Sequence, residues 1–245
     1  MDQTDVFAEV ESDGADYGVV AIENSSRGTV RDVLEMFEVT TLQICAEVFL
    51  PIDQNLLSCV PREKITRVYS HSQPFAQCRE WLRQNLRGVR QIEVASTSEA
   101  AHLASAEEGT AAIASKLAAE IYGLQIVDES IMDNSDNITR FLVIGRHIAM
   151  RSGRDRTSIF IAIQDKVGAL YEVLTVLQKH QINMSKIESM PAQTKPWEYV
   201  FYVDLDGHIE DTNVQAALPE LEKLCMHVKI LGSYARGASP QDKSV

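Results

Sequence analysis

The chain of 245 residues is 45% hydrophobic and 24% charged. At ~100–200 residues per domain this predicts one large or two modest globular domains, and it excludes disordered, collagen-like and coiled-coil chains. The net charge of −12 falls unevenly, −11 over residues 1–150 and −1 over the rest, and so acidic a half excludes binding to a phosphate backbone.

No run approaches the ~18 apolar residues that a membrane span needs, and the opening MDQTDVFAEVESDGAD has neither a basic leader nor an apolar core. From the N-terminus, GVVAI reads as a strand, FAQCREWLRQNL as one amphipathic helix and QIEVAS as a strand. EAAHLASAEE and TAAIASKLAAEIYG then read as two Ala-rich helices, and QIV and RFLVIG as strands. Such alternation predicts an α/β sheet with helices on its faces. Cys45, Cys59, Cys78 and Cys225 show no CxxC spacing and read as reduced thiols of a cytoplasmic protein. Gly123 stands where a helix C-terminal glycine belongs. Ser96 with Glu99 has capping-box spacing, which puts Thr97 and Ser98 at an exposed helix N-terminus. That end is either a plain cap or a source of free N–H groups for a carboxylate.

MRSGRDR (Met150 to Arg156) reads as a linker. Beyond it, TSIFIAI, NMSKIES, EYVFYVDL and HVKILGSY read as strands, and GALYEVLTVLQKH and TNVQAALPELEKLC as helices. This βαββαβ order in about eighty residues is the ferredoxin-like arrangement. The domain borders expected are 1–149 and 157–236.

Three polar clusters follow apolar runs: Glu23 to Gly28, Ser70 to Gln73 with Gln77, and Asp133 to Phe141. Residues just after strands suit ligand sites in open α/β sheets, yet Asn, Asp, Ser and Gly also make ordinary turns. Arg140, alone inside ITRFLVIG, either pairs with a protein acid or holds a ligand carboxylate. The six histidines lack metal spacing, and GxGxxG, Walker and GxSxG motifs are absent. No metal and no cofactor is therefore expected.

Read together, DYGVVAIENSSRGTV (Asp16 to Val30), VYSHSQPFAQC (Val68 to Cys78), STSEAA (Ser96 to Ala101) and DNSDNITRFLVIG (Asp133 to Gly145) resemble prephenate dehydratases. GALYEVL (Gly168 to Leu174) and MSKIESMP (Met184 to Pro191) resemble the ACT regulatory domain that follows in that family. The resemblance implies a two-lobed, periplasmic-binding-protein-like catalytic domain joined to a ferredoxin-like ACT domain. The implied reaction is cofactor-free decarboxylation and dehydration of prephenate to phenylpyruvate, within phenylalanine biosynthesis. In that reading Thr139 donates a hydrogen bond or proton to the leaving hydroxyl and Arg140 pairs with a substrate carboxylate. Asn24, Ser25, Thr97 and Ser98 add neutral donors, and Phe141 walls the pocket or simply fills the core. Gly168, Ala169, Leu170, Tyr171, Glu188 and Ser189 would hold phenylalanine as the effector in a homodimer or homotetramer, with Gly168 letting backbone approach the amino acid's carboxylate. Leu170 is equally a core residue of its helix.

Three departures from the family pattern stand out. Ala21 replaces a usual proline, and Met190 an arginine of the effector motif, which removes a cation there. The glycine-rich GPxGTFS opening of the family is absent, so the catalytic domain is expected to be incomplete at its N-terminus. Arogenate dehydratase and a non-catalytic, phenylalanine-binding ACT protein are the alternative functions.

Overall fold

In the computed structural model, residues 3–26, 28–134, 137–191 and 199–238 are described. The chain forms two compact units, one from residues 1–50 with 139–245 and the other from Pro51–Ile138.

The first segment runs α1 (Gln3–Glu11), β1 (Gly18–Asn24), β2 (Gly28–Thr29), α2 (Arg31–Val39) and β3 (Gln43–Pro51). β1 buries Val20, Ile22 and Asn24 on alternate positions, the period-two pattern of a half-buried strand. It turns into β2 through Ser25 to Arg27, of which Arg27 lies outside the described residues. Gly28 closes this three-residue loop at φ +77°, a left-handed conformation that glycine adopts without strain.

The second unit carries β4 (Asn55–Ser58), β5 (Arg67–Ser70), α3 (Ser72–Gln77), α4 (Arg79–Asn85), β6 (Arg90–Glu93), α5 (Thr97–Ala106), β7 (Thr110–Ala114), α6 (Lys116–Tyr122) and β8 (Gln125–Asp128). Its sheet has the order β6-β5-β7-β4-β8. Two expectations change here. FAQCREWLRQNL is two short helices that meet at buried Cys78. TAAIA, which its alanines suggest is helical, is instead the central strand β7, with all five residues buried. Helix propensity is a weak prior beside tertiary burial. At the middle of a sheet, alanine lets a helix lie close, and Ala100, Ala101 and Ala104 of α5 share one core with Ala112 and Ala114. Ser115 then caps α6, and Gly123 ends it at φ +66°.

The chain returns through β9 (Ile138–Gly145), completing the first unit's sheet β2-β1-β9-β3. After it come β10 (Asp155–Ala162), α7 (Ala169–Lys179), β11 (Met184–Pro191), β12 (Tyr199–Asp206), α8 (Thr212–Leu224) and β13 (His227–Ala235). The strands form an antiparallel sheet, β11-β12-β10-β13, as the βαββαβ pattern predicts.

The βαββαβ sheet is buried on both faces. Ile159, Ile161, Val203 and Leu205 share a core with Val173 and Leu177 of α7 and Val214 and Leu221 of α8. Phe160, Tyr202 and Leu231 share the other core with Phe7, Ile22, Phe37, Ile44 and Leu142 from the first sheet and its helices. The approach is close: a Cβ on Gly232 would lie 2.3 Å from the Ile44 carbonyl oxygen. Lys229 of β13 donates to the carbonyls of Phe37, Glu38 and Thr40, capping the C-terminal end of α2.

Candidate active site and effector cavity

β1 and β9 run antiparallel with Asn24 opposite Thr139 and Glu23 opposite Arg140. The Asn24 side chain is fixed at both ends. Its Oδ1 accepts the Ser26 N–H at 3.0 Å, and its Nδ2 donates to Thr139 Oγ1 at 2.8 Å. Thr139 Oγ1 therefore acts as an acceptor toward Asn24, and its own hydrogen is left to donate elsewhere. Both residues are buried, at 8% exposure each. Phe141, half-buried, follows two residues on and so shares the Thr139 face of β9. Ser25 is exposed in the β1–β2 turn.

Arg140 is where the structure corrects the sequence reading. As the neighbour of Thr139 on a strand it points to the opposite face, and it is 4% exposed. Its Nε donates to Glu47 at 2.7 Å, Nη1 to Asp204 at 2.6 Å and Nη2 to the Tyr234 hydroxyl at 3.1 Å. Burial works against the guanidinium charge, but Tyr202, Tyr234, Asp204 and Glu47 together push its pKa upward. Its carboxylate partners are thus the protein's own. Arg156 Nη1 also reaches Glu47, at 2.5 Å, while Ser158 bonds both Asp204 and Tyr234. Sequence reasoning missed Glu47, Asp204 and Arg156. A lone acid inside the apolar run YVFYVDL was the available signal for Asp204, since buried carboxylates need a paired cation.

In the second unit, Ser96 caps α5 by accepting the Glu99 N–H at 3.0 Å. Glu99 in return accepts the Ala95 N–H. Thr97 and Ser98 form the first turn, half-buried and exposed respectively, at a helix end that presents unpaired backbone donors.

The Ser70 to Gln77 cluster and the Asp133 end of the third cluster do structural work. His71 caps α3, and Ser70 donates to the Ile113 carbonyl. Asp133 accepts the N–H groups of Glu80 and Trp81 at the start of α4; Ser135 and Asp136 lie outside the described residues. Among the described residues no His, Cys, Asp and Glu group could hold a metal.

At the βαββαβ module, Gly168, Ala169, Leu170 and Tyr171 line a cavity of about 340 Å³, faced by Tyr199 and Phe201 of β12. Gly168 takes φ +84° as the N-cap of α7. A Cβ there meets nothing within 4 Å, so its requirement is conformational and not one of close approach. Leu170 is half-buried on the cavity wall and outside the core cluster beneath α7. Glu188 and Ser189 do not line the cavity. Glu188 lies on the other face of β11 and accepts from Thr29 Oγ1 at 3.1 Å, while Ser189 is exposed opposite Phe201. Met190 is 4% exposed in the core beside Tyr202 and Val200, so a cation in its place would be buried there.

Residues 1–149 match the family model described as prephenate dehydratase, and residues 157–225 that of the ACT domain. The bifunctional chorismate mutase/prephenate dehydratase of Aquifex aeolicus is 46% identical over 233 residues, which cover 95% of this chain and 64% of that protein. The chain thus spans just under two thirds of the length of such curated relatives. Among solved structures, the prephenate dehydratase of Arthrobacter aurescens in complex with L-Phe has a TM-score of 0.82 at 34% identity, covering 94% of this chain and 78% of that one. A protein described as a novel type of quorum quenching acylase, GqqA, has a TM-score of 0.84 at 28% identity, covering 98% and 87%.

Proposed function

The chain belongs to the prephenate dehydratase family, with an ACT domain at its C-terminal side, and from that membership we propose that it converts prephenate to phenylpyruvate under feedback control by phenylalanine. The single observation that carries the chemistry is the Asn24–Thr139 pair. Loss of carbon dioxide from prephenate sends electrons through the ring and expels the ring hydroxyl; aromatisation drives the reaction, so the protein needs only to hold the dianion and assist the leaving oxygen. Thr139, accepting from Asn24, retains a hydroxyl hydrogen to direct at that oxygen. A threonine hydroxyl is a weak acid, so an oriented hydrogen bond in a site of fixed donors supplies more than proton transfer does.

Carboxylate capture in an acidic unit calls for local donors. In the first unit Ser25 beside Asn24 is such a donor; in the second, the α5 N-terminus at Thr97 and Ser98 presents donors of its own. The acylase likeness finds less support, because the Thr139 hydroxyl is held by an amide and not by a histidine or carboxylate that could activate it as a nucleophile. Phenylalanine suits the ACT cavity by chemistry. Tyr199, Phe201 and Leu170 offer apolar and aromatic walls, and the first turn of α7 offers backbone N–H groups for its carboxylate. Self-association through the ACT module fits its exposed Tyr171, Ile187 and Tyr199 beside the edge strand β11, and a cytoplasmic location belongs to the same proposal.

The test is phenylpyruvate formation from prephenate by the full chain and by Thr139→Val. The wild type is expected to turn over. The variant should lose about 10²–10⁴-fold in kcat, the usual contribution of a positioned acid–base group, with a smaller change in KM. Equal turnover by both would remove Thr139 from the chemistry, and no turnover by the wild type would overturn the function.

A further inference from the structure

β11 carries two charged side chains on the face away from the effector cavity, and both reach the β1–β2 hairpin. Lys186 Nζ lies 2.8 Å from Glu23 Oε2 and donates to Thr29 Oγ1 at 3.1 Å. Thr29 Oγ1 in turn donates to Glu188 Oε2, also at 3.1 Å. Thr29 pairs with Glu23 across the hairpin, and Glu23 directly precedes Asn24, whose amide holds Thr139. Lys186 is largely enclosed, with 13% of its side chain exposed, so its contact with Glu23 is screened less than a surface pair would be.

The same strand pairs with β12, which lines the effector cavity. Ser189 and Pro191 pair with Phe201 and Tyr199 of β12, and both aromatic residues face the cavity. A ligand that moves these side chains therefore acts on the strand that grips the hairpin. From this continuity we propose that Lys186 and Glu188 are positioning residues that clasp the β1–β2 hairpin and transmit occupancy of the effector cavity to the Asn24–Thr139 pair. The clasp rests on the prephenate dehydratase reading and deepens it. It gives Glu188 a role in coupling, in place of the contact with phenylalanine that the effector motif implies.

The test uses the full chain, with phenylalanine as the probe. For wild type, Lys186→Met, Glu188→Gln and the charge-swapped pair Glu23→Lys/Lys186→Glu, phenylalanine binding is measured by calorimetry and inhibition of prephenate turnover by assay. The expected result is that Lys186→Met and Glu188→Gln bind phenylalanine within twofold of wild type. Both should need roughly tenfold more of it for half-inhibition, well inside the ordinary range of allosteric coupling, and the swapped pair should recover most of the response. Unchanged inhibition in both single variants overturns the clasp, as does loss of phenylalanine binding in Glu188→Gln. Should Lys186→Met fail to fold, Glu188→Gln and the swapped pair decide. A wild type that turns over prephenate and responds to phenylalanine, beside variants that respond equally, sinks the clasp alone. A wild type without turnover or without inhibition sinks the functional reading, and the clasp with it.

Discussion

Thr139 and Arg140 are adjacent in sequence and belong to different surroundings. Successive strand residues face opposite ways, so a run read as one polar motif divides into a hydroxyl aligned with Asn24 and a guanidinium sunk among Glu47, Asp204 and Tyr234. The parity was legible in ITRFLVIG once its strand was recognised. The partners were not, because Glu47 and Asp204 lie far off in sequence. Removing one member of a buried ion network leaves the others desolvated and unpaired. Arg140→Met is therefore expected to lower stability by about 3–5 kcal/mol, read as a lower urea midpoint. A midpoint equal to wild type would show that this cluster contributes nothing net. A less damaged Arg140→Lys would be no surprise, since it keeps the charge while losing the planar fork that serves three acceptors.

At the scale of elements, the strands and helices after residue 155 were legible because α7 keeps helical apolar spacing with one face buried, while β10 and β12, buried on both faces, are apolar runs of strand length. TAAIA was not. Four small residues and one isoleucine carry no period, and only the neighbours β4 and β5 make it a strand. The start of β10 depends on a smaller device. Asp155 accepts from the Ser152 N–H and hydroxyl and from the Gly153 N–H, closing the turn that precedes the strand. Burial would raise the Asp155 pKa, but the bonds from Ser152 and Gly153 more than offset it and hold the carboxyl below its ordinary range. A depressed carboxyl stabilises the fold above its unfolded value, ~3.9, and that stability drains away as pH falls through the folded value. Asp155→Asn should cost about 1.5–3 kcal/mol at pH 7, as expected for hydrogen bonds to a charged group. The gap between variant and wild type should narrow below pH ~4. Thermal melts across pH 3–7 check this, and a gap that is constant with pH would contradict it.

For the molecule as a whole, the division into units follows burial and not chain order. Phe7, Ile22 and Phe37 from the first segment share a core with Tyr202 and Leu231 from the ACT sheet, while residues 51–138 form a unit of their own. Nothing in local pattern announces this, because it depends on which faces meet across some two hundred residues. The border is nonetheless well defined. The Ile52 N–H donates to the Asn137 carbonyl at 2.8 Å, so the second unit leaves and rejoins the chain at neighbouring points. A segment of this size with a five-stranded sheet and two cores of its own is large enough to fold alone. Expressed by itself, Pro51–Ile138 is expected to unfold cooperatively with dispersed amide resonances. A fragment with a disordered spectrum would show that it borrows stability from the rest. The ACT module is expected to behave otherwise, since excision would bare Phe160, Val200 and Leu231.

The direction of the hydrogen bond between Asn24 and Thr139 also bears on how the protein ages. Asn24 is buried at the end of β1 with its amide held at both ends, but it precedes a small, exposed residue, Ser25. An asparagine amide before a small residue can hydrolyse to a carboxylate, slowly where it is buried and bonded. That change replaces one nitrogen by oxygen and adds a negative charge. It also reverses the bond, because a carboxylate can only accept and would draw the Thr139 hydrogen onto itself. A stored sample would then lose turnover because its hydroxyl faced the wrong way, together with the stability that a buried charge without a cation costs.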